Sequence, residues 1–404
     1  MEGAWAFNWV QILRHQSRSV WLLGLTLTGF ALWGWTGFTN DLWQPVVLAF
    51  IALVVMSLLS IYLLDSFKSA VFIFGASSLL FILLIGLGLL FNDNYQESTA
   101  FGWVIILIMM MSNLTHIITT LHREMARGAH QYDGIAEAIR INSGPIFLSN
   151  TTTLAGFLMV GWFDTTFQEM ALTVLLGWAL ITILLLIFLP WIMMNWLLEF
   201  RVGHYQDRHG FLFIADYLQK SPVSAKALSA LLIALSAVAL GLLVWAFSDY
   251  QALLMMLLSS GILLGIFWQN LKLTLAVLAV SALAVLLAFA MMKLSIAFDE
   301  QALLITLVIP LGIVLDDAIH FFSRIRRAKQ GFYRDDLSAI RFTLSSIGRP
   351  IWNTSLLLFV GLTVLLIFGN SMIYQLSILT LLSIALATFM VLVLLPALYI
   401  SKSL

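Results

Sequence analysis

The sequence predicts an all-α integral membrane protein with twelve transmembrane helices. They form two parallel six-helix repeats about a pseudo-two-fold axis along the membrane normal. Three observations predict this. Of the 404 residues, 61% are hydrophobic and only 10% charged, with a mean hydropathy of +1.01; soluble chains carry about 45–50% apolar and about 25% charged residues. The apolar residues fall into twelve runs, each near the roughly 20 residues that cross a bilayer. Motifs of the first half recur in the second, Pro145 and Pro350 being 205 positions apart. This composition excludes an ordinary soluble enzyme, a nucleic-acid binder and a disordered chain. The 20 Lys+Arg and 20 Asp+Glu cancel, so net charge is silent about partners. Cys is absent, which leaves no disulfide, thiolate metal site or Cys nucleophile.

The first six runs are 19–37, 43–64, 70–91, 100–121, 145–163 and 168–198. The second six are 225–247, 250–268, 272–292, 301–323, 350–368 and 372–400. Longer connections cover 122–144, 199–224 and 324–349. Of these, 123–143 and 324–348 have helical character with mixed charge, and are expected to lie along the membrane surface. Residues 1–19 carry Arg14 and Arg18 and lack a small-residue cleavage site, so they read as an uncleaved signal-anchor flank. Trp35, Trp43 and Trp162 sit near run ends, as an interfacial belt requires. With the N-terminus inside, every Lys and Arg except Lys293 falls on the cytoplasmic side. A miscounted span would scramble that partition. Both termini are therefore expected in the cytoplasm, and the chain in a bacterial inner membrane.

The duplication is legible in order and spacing. Ala138-Ile139-Arg140 recurs as Ala339-Ile340-Arg341, Gly144-Pro145-Ile146 as Arg349-Pro350-Ile351, and Gly156 as Gly361. Phe188-Leu189-Pro190 recurs as Leu394-Leu395-Pro396, and His116 as His320. Six spans per half is an even number, so both repeats enter the membrane the same way. The first repeat is assigned to 1–215 and the second to 216–404.

Two acidic residues lie deep in an apolar run, Asp316 and Asp317 in span ten. A single Asp at the centre of a spanning helix costs about 2.5–3.5 kcal/mol on insertion scales, so an adjacent pair points to function. His320 follows on nearly the same face. The Lys and Arg within the run bounds, Lys226 and Lys272, sit at the first two positions of their runs, so none lies deep in one. Desolvation and mutual repulsion disfavour two full negative charges side by side, so a shared proton or a bound alkali cation is expected. Span four has Ser112, Asn113, Thr115 and His116 at the equivalent place, polar but uncharged. Polar tracts in span five (Ser149, Asn150, Thr151, Thr152, Thr153) and span eleven (Asn353, Thr354, Ser355) can face them. Asp316, Asp317, His320, Asn113, Ser112, His116, Thr354 and Ser355 are thus the candidate ion or proton relay. One helical turn carrying Asp-Asp-x-x-His does not complete a metal shell.

These residues resemble those of the resistance–nodulation–division (RND) superfamily. The resemblance rests on Gly312-x-x-x-Asp316-Asp317-Ala-Ile-His320 in a twelve-span duplicated plan, followed by a basic segment. It continues in Arg349-Pro350-Ile351 with Thr354, Ser355 and Gly361, and in Leu394-Leu395-Pro396-Ala397-Leu398. The G-x-x-x-D-D signature is nearest to the lipid and hydrophobe exporters and the Patched/Dispatched-like branch. The resemblance implies that Asp316 and Asp317 are coupling carboxylates, taking up a proton or sodium ion in each cycle, with no other cofactor. It breaks in two places. Connections 37–42 and 248–250 are short where the family usually carries large extracytoplasmic domains, and Ser112 and Asn113 stand where many relatives have an acidic residue. That argues against a complete drug-efflux pump.

The expected function is an ion-coupled RND-like transporter core for a lipid-like or hydrophobic substrate. Its partners would be membrane lipids, that substrate and a separate extracytoplasmic or membrane protein, with no nucleic acid. The alternative is a non-transporting motor or scaffold subunit of a membrane complex. An enzyme is not expected, because no Ser-His or Glu-x-x-His pattern accompanies a nucleophile within a span.

Overall fold

The computed structural model describes residues 4–39, 42–91, 97–195, 209–246, 251–295, 307–331, 335–369 and 371–403. Among them there is no strand. The helices are α1 Ala4–His15, α2 Ser17–Gly34, α3 Trp43–Leu64, α4 Phe67–Phe91, α5 Glu97–Ala126 and α6 Gln131–Phe163. There follow α7 Gln168–Ile183, α8 Leu189–Asn195, α9 Leu212–Lys220, α10 Pro222–Ala246, α11 Gln251–Trp268 and α12 Leu271–Ser295. The last are α13 Val308–Gln330, α14 Asp336–Phe368, α15 Ser371–Phe389 and α16 Leu395–Ser403. Among the described residues eight helices are long and apolar enough to cross a membrane, and nine if the bent pair Leu212–Lys220 and Pro222–Val238 is one span. The chain is therefore an integral membrane protein. The start of the predicted tenth span, 301–306, lies outside the described residues, as do residues 40 and 41 of the connection 37–42 and all of 248–250.

Two predicted breaks are not made. Residues 131–143 and 336–348 are not separate surface helices but the first turns of α6 and α14, which run on through Pro145 and Pro350. A proline inside a helix removes one backbone bond, which costs less than ending a 33-residue helix whose later turns are apolar. The polar turns satisfy themselves locally: Arg140 pairs with Glu137 one turn back. Asp335 caps α14, accepting the Ser338 N–H at 2.8 Å. That bond favours the charged carboxylate and holds its pKa below the ordinary value.

The chain forms two compact units. The first holds Met1–Phe147, Thr165–Gly203 and Leu356–Ile373; the second holds Leu148–Asp164, His204–Ser355 and Tyr374–Leu404. In the first unit α5 packs on α3, α4 and α7, and α2 on α4. α5 is buried nearly all round and carries the fully buried Phe101 and Trp103. α2 and α4 meet backbone to backbone: a Cβ on Gly34 would stand 1.6 Å from the Gly86 carbonyl oxygen. Only glycine permits that approach.

α7 passes into α8 through a wide π-turn at Leu184–Phe188, and α15 into α16 through another at Met390–Leu394. Each is followed by Leu-Pro, at Leu189-Pro190 and Leu395-Pro396. Proline lacks an N–H and its ring crowds the carbonyl four residues back, so a widened turn accommodates it. In the first unit that carbonyl, Leu186, accepts the Trp9 indole N–H at 2.7 Å and so pins α1. Trp9→Phe keeps an aromatic ring, though a smaller one, and loses the bond. Thermal unfolding in detergent should show a loss of about 1 kcal/mol.

In the second unit α12 packs on α10, α11 and α13, and α10 on α16. Around α13 nearly every side chain from Val308 to Phe322 is buried.

Candidate functional site

Gly312 determines how close the second-unit part of α6, from Leu148 onward, comes to α13. A Cβ there would lie 3.1 Å from Thr153 Cα and 3.2 Å from the Thr152 carbonyl oxygen. Across this close crossing the Thr153 hydroxyl donates to the Gly312 carbonyl at 3.1 Å. One turn along each helix, the Ser149 hydroxyl donates to Asp316 Oδ1 at 2.5 Å, at the short end of O–H···O distances. Thr153 with Gly312 and Ser149 with Asp316 are two rungs of one antiparallel ladder. His320 Nε2 stands 3.4 Å from the same Asp316 oxygen, one turn on.

Asp317 is the next residue and so points about 100° round the helix, toward different neighbours. Its Oδ2 accepts from the Ser355 hydroxyl of α14 at 3.0 Å and the Thr388 hydroxyl of α15 at 3.2 Å. Those two hydroxyls are 2.7 Å apart, and Ser355 also reaches the Ile351 carbonyl at 2.8 Å. Asp317 Oδ1 is buried and has no hydrogen-bond partner among the described residues, and Asp317 forms no ion pair there. Arg324, predicted on the cytoplasmic side, is buried two turns after Asp317 on α13. The adjacent carboxylates thus fasten α13 to three other helix segments of its unit, through hydroxyls that can both donate and accept. Such a set can hold and release a proton or a small cation. Among the described residues no three His, Cys, Asp or Glu side chains gather as a metal site.

Of the predicted residues, the structure brings together Asp316, Asp317, His320 and Ser355. Ser149, from the predicted span-five tract, joins them. Thr354 is buried but donates to the Ile351 carbonyl of its own helix at 2.9 Å. Ser112, Asn113 and His116 are buried in α5 of the other unit. There Asn142 of α6 donates to the Thr120 hydroxyl at 3.0 Å and approaches the His116 carbonyl at 3.5 Å. Sequence reasoning missed Thr388, one of several isolated hydroxyls in its apolar run. A signal existed: Thr182 stands two residues before the first π-turn, as Thr388 stands before the second. Thr182 bonds only back to Trp178 of its own helix. Thr388→Val removes one of the two donors to Asp317 Oδ2 at nearly constant volume. Thermal unfolding should register a loss of about 1–3 kcal/mol, larger above the pH at which the carboxyl ionises.

No family model matches the sequence, and no curated protein does. Solved structures do. The crystal structure of SecDF in its super-membrane-facing form superposes with a TM-score of 0.65 at 14% identity, over 90% of this chain and 62% of that one. The structure of SecDF from Thermus thermophilus, a translocon-associated membrane protein, superposes with a TM-score of 0.65 at 14% identity, over 89% and 61%. This chain thus covers less than two thirds of SecDF. At that identity the likeness is one of fold: the chain folds like SecDF.

Proposed function

We propose that the chain is the ion-coupled membrane core of an RND-like machine, in which Asp316 and Asp317 take up and release a proton or sodium ion. One observation carries the reading. Asp317 is buried in a span, held by two hydroxyls, with one oxygen lacking a hydrogen-bond partner and no ion pair among the described residues. A carboxylate in that setting is best kept by an ion that comes and goes. Its change of charge would bias helix packing between two arrangements, as an energy-coupled device requires. The reading rests on Asp316, Asp317, His320, Ser149, Ser355 and Thr388 of the second unit. The reading assigns the chain no enzymatic chemistry and no cofactor beyond the coupling ion.

In this reading twelve spans form two repeats, 1–215 and 216–404, with both termini in the cytoplasm of a bacterium and the chain in its inner membrane. The matched 33-residue helices α6 and α14, each with its proline at the same place, support the duplication. So do the two π-turns before Leu-Pro. The output is work on a separate membrane or extracytoplasmic protein. The short connections 37–42 and 248–250 and the fold likeness to a translocon-associated protein favour such a motor subunit. A second reading, movement of a lipid-like substrate as in the Patched/Dispatched-like branch, is favoured by an apolar groove of the first unit. Val54, Leu58, Ile61, Val71 and Phe74 of α3 and α4 line it.

Proteoliposomes holding the purified chain test both. Imposed proton and sodium gradients should drive ion entry through the chain. Export of a fluorescent lipid by the chain alone selects the second reading, and activity only with a co-purified protein selects the first. Ion-tight liposomes with neither activity under either gradient would defeat the proposal.

A further inference from the structure

The connection predicted over 199–224 holds an ordered helix. α9 turns by 108° into Pro222–Val238, the apolar segment that follows it. If that segment crosses the bilayer, α9 runs nearly parallel to the membrane plane. Its inner stripe, Ala215 and Leu218, is buried. Its outer stripe is Phe213 and Tyr217, each 59% exposed, and then Lys220, at the i, i+4, i+7 spacing of one face.

This helix is held in place, not draped. The Phe211 N–H donates to the Leu344 carbonyl of α14 at 3.1 Å. Arg341 pairs with Asp216 at 2.6 Å and donates to Gln219 at 3.0 Å. Gly210 has φ +49° and packs so closely that a Cβ would be 2.5 Å from the Ser345 carbonyl oxygen. With Asp216 engaged by Arg341, the exposed charges left on this elbow are Lys220 and Lys226, both positive.

We infer that the Phe213–Tyr217–Lys220 stripe is a lipid-binding surface seated in the head-group layer, where Lys220 and Lys226 take the phosphates of anionic phospholipids. Aromatic rings beside lysines suit that layer, whose chemistry is half apolar and half charged. The inference needs only the membrane placement of the chain, so it stands or falls apart from the ion-coupled reading.

The chain has no cysteine, so Tyr217→Cys in the full chain can carry a single bimane fluorophore. It is placed in nanodiscs of phosphatidylcholine and phosphatidylglycerol. The label should resist aqueous iodide and be quenched better by a nitroxide at the head-group end of an acyl chain than at its methyl end. Strong iodide quenching with both nitroxides ineffective overturns the inference. Stronger quenching from the methyl end overturns it too, since the stripe would then lie in the hydrocarbon. Phe213→Cys repeats the reading should the first variant misfold. Adding Lys220→Gln and Lys226→Gln should weaken the preference for nitroxide-bearing phosphatidylglycerol over phosphatidylcholine by about fivefold or more. An unchanged preference overturns the head-group assignment.

Discussion

Asp317→Asn is expected to lower coupled activity by about 100-fold or more, to the level of empty liposomes, while the protein still folds. The amide oxygen can accept from Ser355 and Thr388 as Oδ2 does, and an amide is cheaper to bury than a carboxylate. Thermal stability should therefore stay within about 1 kcal/mol or rise. Asp316→Asn should behave alike, since its carbonyl can still accept from Ser149. Ion flux in proteoliposomes and unfolding in detergent, measured on the same preparations, separate two cases. A pair that only ties helices together keeps its activity when neutralised. Full activity in the double variant would end the coupling role.

Gly34→Ala is expected to have the largest effect on folding. Its new Cβ would fall 1.6 Å from the Gly86 carbonyl oxygen, where no rotamer change helps because the obstacle is backbone. α2 and α4 would have to separate, at a cost of about 3 kcal/mol or more. Gly86→Ala meets the Ala31 carbonyl oxygen at 2.3 Å and should act likewise. Gly29→Ala on α2 is the control, because nothing lies within 4 Å of its Cβ. It should be neutral or gain up to about 1 kcal/mol from helix propensity. The yield of folded protein and its unfolding temperature report on all three. Gly34→Ala with unchanged stability would mean the two backbones are not in contact.

Apolar length and the position of rare charges were legible in the sequence, since both act one residue at a time. Each predicted run overlaps a described helix, eight or nine of them long and apolar enough to cross a membrane, and Asp317 and Ser355 meet. What depends on neighbours was not legible. Pro145 and Pro350 looked like helix starts, because the rule that proline ends a helix says nothing of the packing that keeps one whole. α1 and α9 were taken as flank and connection; short amphipathic helices owe their order to docking, as Trp9 on Leu186 and Phe211 on Leu344 show. Thr388 was one of several hydroxyls in an apolar run, and most such hydroxyls serve their own backbone, as Thr182, Thr380 and Ser383 do. Arg324 looked like a loop charge because its burial is decided by other helices.

The Ser355 hydroxyl has one hydrogen and, within reach, the Asp317 carboxylate, the Ile351 carbonyl and the Thr388 oxygen. Serving the carboxylate and serving Ile351 are mutually exclusive. A serine that bonds back to the carbonyl four residues earlier bends its helix slightly; one that turns away lets it straighten. An ionised Asp317 competes for that hydrogen more strongly than a neutral one. In the ion-coupled reading, a change of charge on one helix would be converted into curvature on another, through the position of a single hydrogen atom.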